Sequence, residues 1–275
     1  MERKIRNLTK YALIEDIGSG DVTTEATVPT DSRAAAIILA KQDMVLAGLE
    51  VCQEVFQFLD PAIEFTSFVR DGDRIRTGTE IALLSGNTRA LLMGERVALN
   101  LLQHMSGIAT QTARYVEKIE GLKAEVLDTR KTHPGLRELE KYAVRMGGGK
   151  NHRFGLYDGI LIKDNHIKVA GSITKAIEGV RKKSHLLLKI EVETKTLDEV
   201  QEALATKPDI IMLDNMQVDM MREAVFLIHR QALVEASGNV TLETIRTIAE
   251  TGVDFISCGS ITHSTAAVDI SMKLK

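Results

Sequence analysis

The chain has 275 residues, 44% of them hydrophobic, which is enough for one large domain or two modest ones. A net charge of −3 argues against a general binder of nucleic acid or membrane surfaces, and the absence of Trp argues against stacking platforms for single strands. The two cysteines, Cys52 and Cys258, have neither pairing nor metal spacing. With a charged N-terminus unlike a signal peptide and no apolar run long enough to span a bilayer, they indicate a reduced, cytoplasmic protein.

Residues 1–85 read as a helix followed by short strands and turns. "RAAAIILAK", "MVLAG", "IEFTSFV" and "EIALLSG" are strand-like, and "LEVCQEVFQFLD" has helical spacing and stops before Pro61. A long helical pattern then runs from Asn87 to about Ile119, where Gly107 is expected to break or kink it. The second half is rhythmic. Apolar runs recur at "AEVLD", "GILIKD", "LLLKIEVE", "DIIMLDN", "ALVEASG" and "DFISCGS", with helical patterns at 172–183, 196–206, 217–230 and 241–251 between the last five. Strands alternating with helices imply parallel pairing through right-handed crossovers. The fold class is therefore α/β: a mixed α/β N-terminal domain over 1–106, then an incomplete parallel α/β barrel over 107–264. A doubly wound open sheet is the alternative.

Each of the six runs ends in polar or glycine residues, and in a barrel those ends converge on one mouth. Between residues 128 and 168, nine Lys/Arg stand against five Asp/Glu. Arg137 and Lys141, with acidic neighbours on a helix, read as solvated. Arg130, Lys131, Arg153 and Lys163 abut strand ends or a glycine turn and suit a small, strongly anionic ligand. "GGGKN" lacks the spacing of a phosphate-binding P-loop, and His152, Asp164 and His166 lack a metal-ligand pattern. Glu193 and Asp214 end successive strands and suit Mg²⁺ shared with substrate phosphates. Strand alternation places Glu191 on the face of Glu193, one layer deeper. "EASGN" and "SCGS" supply glycines at the last two strand ends, a usual place for a phosphate.

The stretches "EDIGSGDVTTEATVP", "ERVALNLLQHMSGIAT", "LDTRKTHPGLR", "GGGKNHRFGLYDGILIKDNH", "EVET", "IMLDN", "EASGNV" and "SCGSITHS" resemble the quinolinate phosphoribosyltransferase family over nearly the whole chain. The resemblance implies a last helix, about 265–275, packing back on the first domain. It implies conversion of quinolinate and phosphoribosyl pyrophosphate to nicotinate mononucleotide, pyrophosphate and CO₂, with Mg²⁺ as cofactor. It assigns quinolinate to Arg130, His152, Arg153 and Lys163, with Arg96 entering from the partner subunit of a homodimer that shares its active sites. It assigns Lys131 to the pyrophosphate or ribose, and Glu193 and Asp214 to the ribose hydroxyls and the metal. Ser237, Gly238, Gly259 and Ser260 would cradle the 5′-phosphate. Lys131, Lys163, Glu193 and Asp214 are the expected catalytic set. Two competing readings are a Schiff-base lyase built on Lys163, which needs a desolvated neutral lysine, and a non-catalytic phosphometabolite sensor. A barrel relative linked to molybdenum transport shares "TRKT", but its "IKDNH" segment is altered.

Overall fold

The structure, a computed structural model, describes residues 2–275. In chain order the elements are α1 (Glu2–Ile17), α2 (Val22–Thr27), β1 (Arg33–Ala40), β2 (Met44–Val45), α3 (Leu49–Leu59), β3 (Glu64–Ser67), β4 (Arg74–Ile75), β5 (Glu80–Asn87) and α4 (Thr88–Lys118). There follow β6 (Glu125–Leu127), α5 (Arg137–Met146), β7 (Ile160–Ile162), α6 (Asp164–Ala170), α7 (Ile173–Lys183), β8 (Ile190–Thr194) and α8 (Leu197–Ala205). Last come β9 (Ile210–Asp214), α9 (Val218–Ile228), β10 (Leu233–Ser237), α10 (Ile245–Ala249), β11 (Phe255–Ser257), α11 (Ser260–His263) and β12 (Ile270–Leu274).

Two compact units result. The first comprises Met1–Ala113, His133–Gly148 and Ser264–Lys275; the second comprises Arg114–Thr132 and Gly149–His263. Helix α4 runs unbroken across the expected boundary at residue 106, and α5 packs against it within the first unit. Gly147 makes that packing possible: a Cβ there would lie 2.3 Å from the Ala109 carbonyl oxygen. Gly107 does not break α4. Its missing Cβ instead admits the Ala266 carbonyl oxygen, which would lie 2.4 Å from that atom.

The first unit holds an antiparallel sheet in the order β12-β1-β5-β3 and a small β2–β4 pair. Its core joins Ala36 and Ile38 of β1, Ile81 and Leu84 of β5, Val55 and Phe56 of α3, and Leu91, Leu99 and Leu102 of α4. Helix α3 starts at Gly48, whose φ of +110° suits glycine. Asp71 accepts the free N–H groups of Gly48 and Leu49 at 3.0 and 3.1 Å, and Tyr142 on α5 donates to it at 2.7 Å. The expected C-terminal helix over 265–275 is replaced by strand β12, which pairs antiparallel with β1 from Ala36↔Leu274 to Ala40↔Ile270. The reason is periodicity: Val268, Ile270 and Met272 are buried, while Asp269 between the first two and Lys273 after the last face water. Lys141 also departs from expectation, being 2% exposed rather than solvated. It shares α5's inward surface with Glu140, Val144 and Leu139.

The second unit holds six parallel strands in the order β6-β11-β10-β9-β8-β7. Successive strands are neighbours, and the first, β6, joins the last, β11; this cyclic order is that of a barrel open at one seam. Lys150 extends the β6 side of the seam through a parallel bridge to Leu127. Strands β8, β9 and β10 are buried along most of their length, as near-continuous apolar runs covered on both faces require. Helices α7, α8 and α9 lie at the expected places, and α10 is shorter than the 241–251 pattern. Ser172 and Thr196 cap α7 and α8 through their side-chain oxygens. Among the described residues, no helix is long and apolar enough to cross a membrane.

Candidate active site

The strand ends of the second unit surround a cavity of about 180 Å³. Its lining includes Arg130, Lys131, His152, Arg153, Lys163, Glu193, Asp214 and Ser237, eight of the residues expected at the mouth. Gly238 lies in the loop after β10, Gly259 follows β11, and Ser260 begins α11. Arg96 is exposed on α4, in the first unit.

The cationic wall is organised from beneath by Asp128, which is fully buried at the end of β6. Its carboxylate accepts the Asn151 side-chain amide at 2.6 Å and the His152 backbone N–H at 2.8 Å. Asp158 ties the next turn by accepting the N–H groups of Phe154 and Gly155 at 2.6 and 2.8 Å. Arg153 donates to the Gly159 carbonyl at 2.9 Å. Burial, then the neighbouring Arg130 charge, lower the Arg153 pKa; Glu191 and Asp158 oppose them. Two guanidinium groups this close suit an anionic ligand.

His152 takes a different position from that of a cationic clamp. Its Nδ1 accepts the Arg153 N–H at 2.7 Å and its Nε2 lies 3.0 Å from Glu191. Both ring nitrogens are thus committed within the protein.

Lys163 ends β7 and caps α6, an extra helix that begins at the strand end. Its N–H donates to His166 Nδ1 at 2.9 Å, which closes the first turn. Asp164 pairs with Lys195 at 2.8 Å, and this bond holds the Asp164 carboxyl below its ordinary range. Across the mouth, Glu193 and Asp214 stand on adjacent strands. Burial, followed by a hydrogen bond to Asp214 and that group's charge, pushes Glu193 up to about 7, and the Lys163 charge opposes the shift. A carboxyl buried beside another favours its protonated form. A divalent cation fits the same donor set, taking the place of that proton.

In the loop after β10, Gly238 has φ +102°, and a Cβ there would meet the Asn215 side-chain oxygen at 2.2 Å. Asn215, itself at φ +54°, donates to Asp214 at 2.9 Å and accepts from Asn239 at 3.0 Å. It thereby links the acidic pair to the "EASGN" loop. Gly259 lies under the Lys131 side chain, whose Cδ would sit 2.9 Å from an added Cβ. Thr262 donates to the Lys131 carbonyl at 2.7 Å, and Ser260 and Tyr115 share a hydroxyl contact of 3.3 Å. From sequence, Asp128 and Asn215 were read only as polar strand ends, and Gly259's room for Lys131 was not read at all. The signals were an aspartate directly after an apolar strand, an asparagine able to adopt φ > 0 after another, and a glycine facing a basic loop.

Fold and mouth together define a class: a parallel α/β barrel enzyme that receives polyanionic substrates between an Arg/Lys wall and a pair of carboxyls. The comparisons are specific. Residues 21–106 match the N-terminal domain of quinolinate phosphoribosyl transferase, and residues 108–273 match its C-terminal domain. A probable nicotinate-nucleotide pyrophosphorylase [carboxylating] of Synechocystis sp. is 50% identical over 95% of this chain and 90% of its own length. A protein of the same description from Bacillus subtilis is 45% identical over 98% of this chain and 93% of its own. The crystal structure of NadC from Streptococcus pyogenes superposes with a TM-score of 0.97 at 44% identity, covering 100% of this chain and 98% of that one. The chain belongs to the quinolinate phosphoribosyltransferase family.

Proposed function

We infer that the chain transfers phosphoribose from phosphoribosyl pyrophosphate to the ring nitrogen of quinolinate and releases CO₂, forming nicotinate mononucleotide for pyridine-nucleotide synthesis. The observation that carries the reading is the mouth itself, where Arg130, Arg153 and Lys163 face one shared cavity with Glu193 and Asp214. Quinolinate has two adjacent carboxylates, and two crowded guanidinium groups plus an ammonium are the chemistry that binds them. His152, with both nitrogens engaged, shapes the wall and orients Arg153.

The ribose and pyrophosphate fall to the other side. Glu193 and Asp214 hold the ribose hydroxyls and a Mg²⁺ ion, which when bound offsets charge on the pyrophosphate. Lys131, laid over Gly259, reaches the same leaving group. Ser237 and the backbone N–H groups around Gly238, Gly259 and Ser260 take the 5′-phosphate. Attack by the pyridine nitrogen on C1 of the ribose expels pyrophosphate through an oxocarbenium-like state, and fixed cations stabilise the departing charge. The product nitrogen is a pyridinium beside the 2-carboxylate. Loss of CO₂ leaves an electron pair on C2 next to that positive nitrogen, so the substrate supplies its own electron sink.

A homodimer with shared sites is part of the proposal. Its support is Arg96, exposed on α4, and the exposed Leu156, Tyr157, Leu186 and Leu187 of the second unit, an amount of apolar surface that an interface would cover. The proposed compartment is the cytoplasm, which agrees with two free, buried cysteines. Substrate discrimination tests the assignment. Nicotinate lacks the 2-carboxylate and would leave a buried cation unpaired, so turnover should favour quinolinate by more than about 10³-fold. Equal turnover of the two acids would overturn the assigned pocket.

A further inference from the structure

Beneath the mouth lies a feature that substrate binding does not use. A second cavity of about 350 Å³ occupies the opposite end of the barrel, and His152, Arg153 and Glu235 line both cavities. At this partition two carboxyls are buried side by side: Glu191 on β8 is 4% exposed and Glu235 on β10 is 0% exposed. His152 Nε2 lies 3.0 Å from Glu191 and 3.6 Å from Glu235. Neither oxygen of Glu235 has a hydrogen-bond partner.

The charges around Glu235 can be followed element by element. From β8 comes Glu191, whose carboxylate is served by the His152 N–H and faces the Arg153 charge. From β9 comes Met212, directly opposite in register and uncharged. From β11 come Phe255, also in register, and the buried Ser257 hydroxyl. From the loop comes His152, whose Nε2 lies 3.6 Å from Glu235 and whose charge favours the ionised carboxyl. His152 lies closer to Glu191 than to Glu235, so Glu235 is the less well partnered of the two, and a buried charge so placed costs several kcal/mol or gives way to protonation. Burial, then the Glu191 charge, raise Glu235 to about 8, with the His152 charge opposing.

The reaction inferred above needs one proton. We propose that Glu235 is the acid that protonates C2 of the pyridine ring after CO₂ leaves. This inference rests on that reading of the activity. In the step, the bond between C2 and the 2-carboxylate breaks, its electron pair stays on C2, and CO₂ departs. The Glu235 O–H bond then breaks and its proton forms the new C2–H bond. The resulting carboxylate regains a proton from water reaching it through the lower cavity, so the turnover consumes one solvent proton. A neutral carboxylic acid in the floor also leaves the anionic substrate unrepelled, which a second ionised glutamate would not.

The test separates the two chemical events in a single turnover. Enzyme in excess over quinolinate is mixed with phosphoribosyl pyrophosphate and Mg²⁺, then quenched, and pyrophosphate, CO₂ and the pyridine products are measured. In the unaltered enzyme pyrophosphate and CO₂ should appear in equal amounts. In Glu235→Gln, pyrophosphate release should stay within about fivefold of normal, CO₂ release should fall at least 100-fold, and the N-ribosylated dicarboxylate should accumulate. Equal and undiminished release of both products by this variant would overturn the proposal. So would loss of pyrophosphate release in a folded variant, which would make Glu235 a positioning residue for transfer. A readout without substitution covers failure to fold: above about pH 8, CO₂ release in the unaltered enzyme should fall up to tenfold per pH unit relative to pyrophosphate release. A constant ratio to pH 10 would also overturn it. No nicotinate mononucleotide from the unaltered enzyme would instead refute the activity, a separate outcome.

Discussion

Replacing Asp128 tests whether the cationic wall is held from below. The carboxylate is fully buried and accepts from Asn151 at 2.6 Å and from the His152 backbone at 2.8 Å. Hydrogen bonds to a charged group contribute about 1.5–3 kcal/mol each, and donors left buried without partners add a desolvation cost. Asp128→Ala should therefore cost about 3–5 kcal/mol of stability, the range for breaking a buried charged interaction from one side. Asp128→Asn keeps the shape and one acceptor and should cost about 1–3 kcal/mol. Part of the loss is local. If the 150–153 segment is in its binding geometry only 1–10% of the time, apparent quinolinate affinity falls about 10–100-fold by population alone. Urea unfolding gives the stability change, and steady-state kinetics should show the quinolinate KM rising more than that of phosphoribosyl pyrophosphate. A stability change within about 0.5 kcal/mol, the range for an inert surface site, with an unchanged quinolinate KM would refute the reasoning.

Other perturbations read other parts of the molecule. Gly107→Ala places a Cβ 2.4 Å from the Ala266 carbonyl oxygen, and backbone yields less readily than a side chain. It should cost about 1–3 kcal/mol in denaturant unfolding, and a neutral result would mean that the segment after α11 is not packed there. The raised Glu193 pKa favours the protonated carboxyl in the folded state, so without added metal this group's stabilising effect is full below about 4.5 and is lost as pH rises through about 7. Mg²⁺ competes for the same oxygens, so calorimetry should find tighter Mg²⁺ binding at pH 8 than at pH 6; pH-independent affinity would remove Glu193 from the metal site. Lys163→Ala should lose more in turnover than in phosphoribosyl pyrophosphate binding, whereas a stable variant with near-normal turnover would take Lys163 out of the mechanism. Mixing inactive Arg96→Ala with inactive Arg153→Ala subunits should restore partial activity, and no recovery in proven hybrid dimers would sink the shared site.

Much of this fold was legible because its barrel strands are short apolar runs buried on both faces, and each ends in a polar residue. That pattern placed Glu193 and Asp214 side by side, and it set Glu191 one layer below Glu193. Helix α6 was not legible. It has seven residues, none of them buried, so it carries no apolar stripe, and its start depends on His166 accepting the Lys163 N–H. Strand β12 was missed although Val268, Ile270 and Met272 alternate with polar residues, because the expectation for that segment came from the resemblance rather than from its period. The deeper chemistry is tertiary. No local pattern shows that Lys141 is buried, that Asp128 accepts from the 151–152 backbone and side chain, or that His152 has given both nitrogens to protein partners. Nor does alternation in "VEAS" reveal that Glu235 meets Glu191 across a strand that separates them in the sheet.

The central claim is that one site joins ribosyl transfer to loss of the 2-carboxylate. It is tested most directly by incubating the purified protein with phosphoribosyl pyrophosphate, Mg²⁺ and quinolinate labelled in the 2-carboxylate, and following all products together. The account predicts labelled CO₂, pyrophosphate and unlabelled nicotinate mononucleotide in equal amounts throughout the time course. Pyrophosphate without labelled CO₂, or label retained in the nucleotide, would contradict it.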